Sequence, residues 1–282
     1  MKAKISIARL SILSNSCLII MKVIVGVITG SVSIISEAIH SSMDLIAAII
    51  AFLSVRISDT PPDSRHPYGH GKIENISGVI EALLIFIAAI LIIVEAVKKL
   101  LGKAVVLDSI AIGSAVMLVS AVINTIVSRR LYKVAKKTNS VALEADALHL
   151  KTDVYTSLGV AAGLGLILIT KINWLDPVVA ILVALFILRE SYKLLRRAYT
   201  PLLDEAWENT DIDDLEKTLN ELKVNYHELR TRVAGNYRFL DLHMYLPKDL
   251  SVESAHHYCD MIEEKLTTKF ENLNVTIHVE PN

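Results

Sequence analysis

Long apolar runs fill roughly the first 200 positions of the chain, and nothing comparable follows them. A helix that crosses a bilayer needs about 20 predominantly apolar residues. Six segments meet that need, near residues 8–29, 31–56, 76–100, 105–128, 141–170 and 173–195. Thr29-Gly30 joins the first two as a tight hairpin. The last connection is Lys171-Ile172-Asn173-Trp174 with Asp176-Pro177, and Pro177 lies near a helix start, where its missing N–H costs little. After Pro201 the pattern shortens. Residues 209–223 read as an amphipathic helix with acids in its first turn and Thr210 or a neighbour as its cap. Residues 228–234 and 237–246 read as strands around Gly235-Asn236. In the second strand Phe239, Asp241, His243 and Tyr245 alternate with Leu240, Leu242, Met244 and Leu246. A helix near 251–270, with Ser251 as N-cap, and a strand at 274–280 complete the order αββαβ. The pattern predicts a membrane all-α bundle of six transmembrane helices over residues 1–200, then a small C-terminal α+β domain over 201–282.

Composition agrees with that division. The 282 residues are 52% hydrophobic and 21% charged, and the mean hydropathy is +0.47. These values coexist only if the charges are segregated. Basic loop residues then set the orientation. Lys2, Lys4, Arg9, Arg56, Arg65, Lys72, Arg129, Arg130, Lys133, Lys136, Lys137, Lys193, Arg196 and Arg197 fall on one side, which is therefore cytoplasmic together with both termini. Only Lys98, Lys99, Lys103 and Lys171 fall on the other. A net charge of −1 gives no argument for a nucleic-acid partner. Cys17 and Cys259 are far apart and outside any CxxC motif, which argues against a disulfide framework or a thiolate metal site. The N-terminal apolar run is long enough to span and does not read as a cleaved signal peptide.

Two spans carry matched chemistry: His40-Ser-Ser-Met-Asp44 in the second and His149-Leu-Lys-Thr-Asp153 in the fifth. Residues four apart share one helix face. Two imidazoles and two carboxylates brought together make a tetrahedral N2O2 cage that suits zinc. A carboxylate at the bilayer centre costs about 2.5–3.5 kcal/mol on insertion scales, and a dication between two of them cancels that charge. Metal ligands must be deprotonated, so binding is coupled to proton release, and histidine titrates near neutral pH. A site that exchanges a dication for protons as its exposure alternates is an antiporter. An intramembrane metalloenzyme would need an open coordination position and a nearby base, whereas four ligands close the shell and no HExxH motif occurs. A membrane metal sensor would use the same ligands without translocation.

The chain resembles the cation diffusion facilitator family, and is most similar to its bacterial zinc/proton antiporters. The resemblance rests on Ser-Glu-Ala-Ile-His40-Ser-Ser-Met-Asp44-Leu, His66-Pro-Tyr-Gly-His70-Gly-Lys72-Ile-Glu74, Ala-Asp146-Ala-Leu-His149-Leu-Lys-Thr-Asp153, His227-Glu-Leu-Arg-Thr-Arg and Ile277-His278-Val-Glu280-Pro. It covers nearly the whole chain. It implies a homodimer of six-helix protomers in the inner (plasma) membrane, with a cytoplasmic metallochaperone-like domain and proton-driven export of divalent metal. The implied transport ligands are His40, Asp44, His149 and Asp153. The implied loop ligands are Asp63, His66 and His70. In the cytoplasmic domain the candidates are His227, His243, His256, His278 and Glu280. Zinc is the expected cargo and a structural or regulatory ion of that domain, with cadmium, iron, cobalt or manganese as alternative substrates. Two histidines in the transport set favour zinc over harder cations. Glu280 stands where bacterial relatives often have aspartate and can still ligate, whereas Val279 stands where one relative has a polar ligand and offers only its backbone carbonyl.

Overall fold

The computed structural model describes residues 2–29, 32–101, 110–170 and 174–282. Within those stretches some side chains, His40 among them, lie outside the described set, as do Gly30 and residues 171–173 of the expected connections. The chain divides into two compact units, Met1–Tyr199 and Thr200–Asn282.

The first unit consists of the helices α1 (Lys2–Thr29), α2 (Val32–Ser58), α3 (Lys72–Leu100), α4 (Ile110–Thr138), α5 (Val141–Thr170) and α6 (Leu175–Tyr199). Among the described residues, Ala3–Ile28, Ser41–Ser58 and Lys72–Leu100 are long and apolar enough to cross a membrane. Helix α1 packs on α2, α4 on α5 and α3 on α6, while α5 also reaches α2 and α3. Apolar side chains such as Leu13, Ile20, Val27, Ile87, Leu91 and Leu118 point outward. Small ones such as Ala47, Ala48, Ala51, Ala82, Ala89, Ala142 and Ala145 are buried. That inversion suits a bundle in lipid, where close backbone approach rather than water exclusion holds helices together. Gly78 marks the tightest approach: a Cβ there would sit 2.6 Å from Val141 Cγ1 and 3.0 Å from Ala198 Cβ.

Three helices extend beyond the apolar runs that predicted them. Helix α4 continues to Thr138, so the basic stretch after residue 128 is helical. Helix α3 begins at Lys72 and α1 at Lys2 because their charged first turns meet each other. Lys4 Nζ donates to Glu74 Oε1 at 2.9 Å and lies 3.4 Å from Asp59 Oδ1. Ser58 Oγ donates to the same Glu74 oxygen at 2.8 Å, and Ser140 Oγ donates to Glu74 Oε2. Lys4, Ser58, Glu74 and Ser140 are all buried. A buried charge persists only when paired and hydrogen-bonded, and this one joins α1, α2, α3 and the start of α5.

The second unit opens with a 3-10 turn, Thr200–Leu203, followed by α7 (Asn209–Glu221), β1 (Tyr226–Ala234), β2 (Tyr237–Leu246), α8 (Val252–Lys269) and β3 (Leu273–Pro281). The αββαβ order matches the sequence pattern. The sheet runs β1-β2-β3, with β1 antiparallel and β3 parallel to β2. A parallel neighbour needs a crossover, which α8 supplies. Leu240, Leu242 and Met244 form one face of β2 and are buried with Leu215 and Leu219 of α7 and Ile262 and Leu266 of α8. Phe239 departs from the simple alternation: it is buried under the Arg232 guanidinium, 4.0 Å from the ring centroid. Ser251 caps α8 through the backbone N–H of Ser254 at 3.1 Å. The N-cap of α7 is Glu208, with no side-chain cap bond, rather than Thr210.

Candidate metal centre

Helix α2 carries Asp44, and α5 carries His149 and Asp153 one turn apart. His149 Nε2 and Asp44 Oδ1 are 3.0 Å apart. One ligand atom from each of Asp44, His149 and Asp153 lies within 4.8 Å of the others. Tetrahedral zinc with bonds of about 2.0–2.1 Å needs ligand atoms roughly 3.4 Å apart, so small side-chain adjustments close this set on one ion. The backbone of His40 lies one turn before Asp44 on α2, while its side chain is outside the described residues. Two ionisable residues that the pattern reading passed over belong to this unit's interior. Lys22 of α1, 5% exposed, donates to Ser41 Oγ at 2.7 Å, three residues from Asp44. Glu81 of α3 is fully buried. The signal for both was present in the sequence, as single charges inside otherwise apolar spans.

Between α2 and α3 a loop gathers Asp63, His66 and His70, again with ligand atoms within 4.8 Å of one another. Asp63 Oδ1 accepts the backbone N–H of Arg65 at 2.8 Å and of His66 at 2.7 Å, a turn closed by the aspartate's own side chain. The His66 backbone N–H, followed by that of Arg65, holds the Asp63 carboxyl below its ordinary value. Gly69 has φ +82°, in the left-handed region that favours glycine. It brings His70 Nε2 to 3.1 Å from His66 Nδ1 and 3.4 Å from Asp63 Oδ2. Thr60 Oγ1 contacts the Ile57 carbonyl oxygen at 2.6 Å and His70 Nδ1 at 3.0 Å. Its single proton goes to the carbonyl, so it accepts from His70 Nδ1–H and turns Nε2 toward His66 and Asp63.

In the second unit, three histidines stand in register across the sheet. His227 pairs with His243, and His243 with His278. Glu280 Oε1 is 3.0 Å from His243 Nδ1 and 3.7 Å from His278 Nε2, and Oε2 is 3.6 Å from His227 Nε2. His227, His243 and Glu280 make the third cluster of ligand atoms within 4.8 Å. The His227 ring stacks on Tyr245 at 4.5 Å. Strand alternation turns Val279, paired with Met244, to the opposite face, so its side chain does not compete for this site. His256 is not brought to the cluster: it lies exposed on α8, 3.6 Å from Asp260. Helix α8 packs on the Leu240–Leu242 face of the sheet, and the histidines occupy the other. One acid was not foreseen. A bulge after His227 puts Glu228 at φ +48°, with Oε2 3.8 Å from His243 Nε2.

The arrangement has counterparts in known proteins. The cation efflux transmembrane domain matches residues 8–203, and the cytoplasmic domain of cation efflux proteins matches residues 207–282. An uncharacterized transporter of Synechocystis is 36% identical over 257 residues, covering 90% of this chain and 83% of that one. The cation-efflux pump FieF of Shewanella oneidensis is 29% identical over 278 residues, covering 97% of this chain and 93% of that one. The manganese efflux system protein MneP of Bacillus subtilis is 29% identical over 285 residues, covering 98% of this chain and 95% of that one.

Proposed function

This chain belongs to the cation efflux family, and from that premise we propose that it carries zinc out of the cytoplasm in exchange for protons, on Asp44, His149, Asp153 and His40. Membership makes it a membrane transporter of divalent metal cations and not an enzyme. The zinc and proton parts of the reading rest on one contact. His149 Nε2 and Asp44 Oδ1, 3.0 Å apart, form a hydrogen bond whose proton occupies the position a metal would take. Metal entry displaces that proton, and reprotonation on the far side releases the metal. Residues 1–200 form the transport part. Residues 201–282 form a cytoplasmic part that binds metal at His227, His243 and Glu280 and pairs two copies of the chain in the inner membrane, with both termini cytoplasmic. Asp63, His66 and His70 make a further metal position at the membrane's cytoplasmic side.

MneP, named for manganese efflux, supports a second reading in which the cargo is harder than zinc. Asp44 and Asp153 supply two oxygens to one described imidazole, a donor set that manganese tolerates. His40 decides between the readings, because a second imidazole tips the set toward zinc. Proton-coupled uptake of zinc, manganese and iron into reconstituted vesicles tests this. Wild type is expected to prefer zinc, and His40→Asp to shift toward manganese or iron. Equal rates for the three metals in both proteins would sink the zinc reading.

A further inference from the structure

Helices α1 and α4 enclose a groove of about 560 Å3 that the transport site does not use. Ser6, Arg9, Leu10 and Leu13 line it from α1, and Arg130 and Val134 from α4. Ala8 of α1 and Val127, Leu131 and Ala135 of α4 are buried in one apolar cluster. Arg9 and Arg130 are exposed, and among the described residues neither has a carboxylate within ion-pair distance. Arg9 instead lies 6.0 Å from the Phe52 ring centroid.

Both arginines line the one groove. Arg9 is seven residues into α1 and Arg130 eight residues from the end of α4, or about 10–12 Å from either helix terminus. Toward the bundle's middle the wall is apolar at Leu10 and Leu13, the latter 62% exposed. Ala3, Ile7 and Val134 line the outer side, so the two arginines stand on an otherwise largely apolar wall that runs on to Leu13. An arginine fork matches phosphate oxygens in pairs, and basic pockets between transmembrane helices suit anionic headgroups.

We propose that this groove binds an anionic phospholipid, its headgroup phosphate held by Arg9 and Arg130 and an acyl chain lying along Leu10 and Leu13. The apolar wall continuous with the two charges favours a lipid over a free anion. A lipid seated there ties the start of α1 to the end of α4.

The test uses the full chain, delipidated in neutral detergent and offered phosphatidylglycerol, phosphatidylcholine or inorganic phosphate, with bound lipid counted by native mass spectrometry. Each arginine near an anionic headgroup is worth about fivefold in retention. Wild type is expected to hold phosphatidylglycerol at least about tenfold better than phosphatidylcholine. Arg9→Gln with Arg130→Gln is expected to bring the ratio near one, while Arg129→Gln with Lys133→Gln, changed at basic residues outside the groove, keeps it. Should the double glutamine variant not fold, the single variants carry the test, each with the ratio cut about fivefold. No headgroup preference in wild type, or a preference that survives loss of both arginines, overturns the proposal. So does inorganic phosphate that binds with the same arginine dependence and displaces the lipid.

Discussion

Asp44 of α2 and His149 of α5 face each other with Oδ1 and Nε2 3.0 Å apart, and Asp44 is only 4% exposed. Both sit inside long helices rather than on loops, so their separation is set by helix packing. Any rocking of α2 against α5 must change that distance, and with it the balance between proton and metal. This is how a two-helix site can couple access to affinity.

The sheet of the second unit separates its histidines by face. His243→Ala removes the central ligand between His227 and Glu280. It is expected to weaken zinc binding by the second unit at least about 100-fold, since even residues that only orient a ligand are worth about 10–100-fold. His256→Ala, on exposed α8, is expected to leave that affinity within about twofold. Competition titration against a chromophoric chelator measures both.

The loop cluster depends on Thr60. Thr60→Val keeps the side-chain shape and removes the acceptor for His70 Nδ1–H. The imidazole then loses its fixed tautomer, and metal affinity at Asp63, His66 and His70 is expected to drop about tenfold. Thr60→Ser is expected to restore it. Cadmium titration followed by NMR of labelled histidine resolves the loop from the other positions.

Glu74 is the shared acceptor for Lys4, Ser58 and Ser140. Glu74→Ala leaves the Lys4 ammonium, 3% exposed, with Asp59 at 3.4 Å as its one carboxylate among the described residues. Breaking a buried pair from one side costs about 3–5 kcal/mol. Lys4→Met with Glu74→Met removes both charges and is expected to recover most of that loss. Unfolding in mixed micelles with increasing SDS reads the difference.

Burial pushes the Cys259 thiol above its ordinary value of 9.0, with Glu263 and Asp260 adding to the effect. The folded state therefore holds this proton more tightly than the unfolded chain does. The stability linked to it is complete below the ordinary thiol pKa and is lost as pH rises toward the higher folded value. The second unit is expected to lose stability above about pH 9, and Cys259→Ser to flatten that loss. At pH 8, iodoacetamide is expected to alkylate Cys259 far more slowly in the native chain than after denaturation.

Much of this molecule was legible from periodicity and spacing. The αββαβ order followed from alternation in residues 237–246 and from Ser251, because strand burial and N-capping act within a few residues. The members Asp44, His149 and Asp153 were legible because residues four apart on a helix share a face. What escaped was non-local. Apolar runs mark where lipid ends, and so they missed the charged turns at Lys4, Lys72 and 129–138, which are helical because they meet each other or continue past the membrane. His256 read as a ligand because the sequence does not reveal which face of the sheet α8 covers. Glu228 was invisible because a bulge, not strict alternation, turns it toward His243.

The most direct measurement is zinc-driven proton movement in vesicles containing the purified chain and a trapped pH dye. Wild type is expected to move protons against a zinc gradient. Asp44→Asn and Asp153→Ala, each missing one carboxylate of the α2–α5 site, are expected to show neither zinc flux nor the proton signal while keeping zinc bound in the second unit. Wild-type zinc flux in either variant would contradict the assignment of the transport site, and zinc flux in wild type without proton movement would contradict antiport.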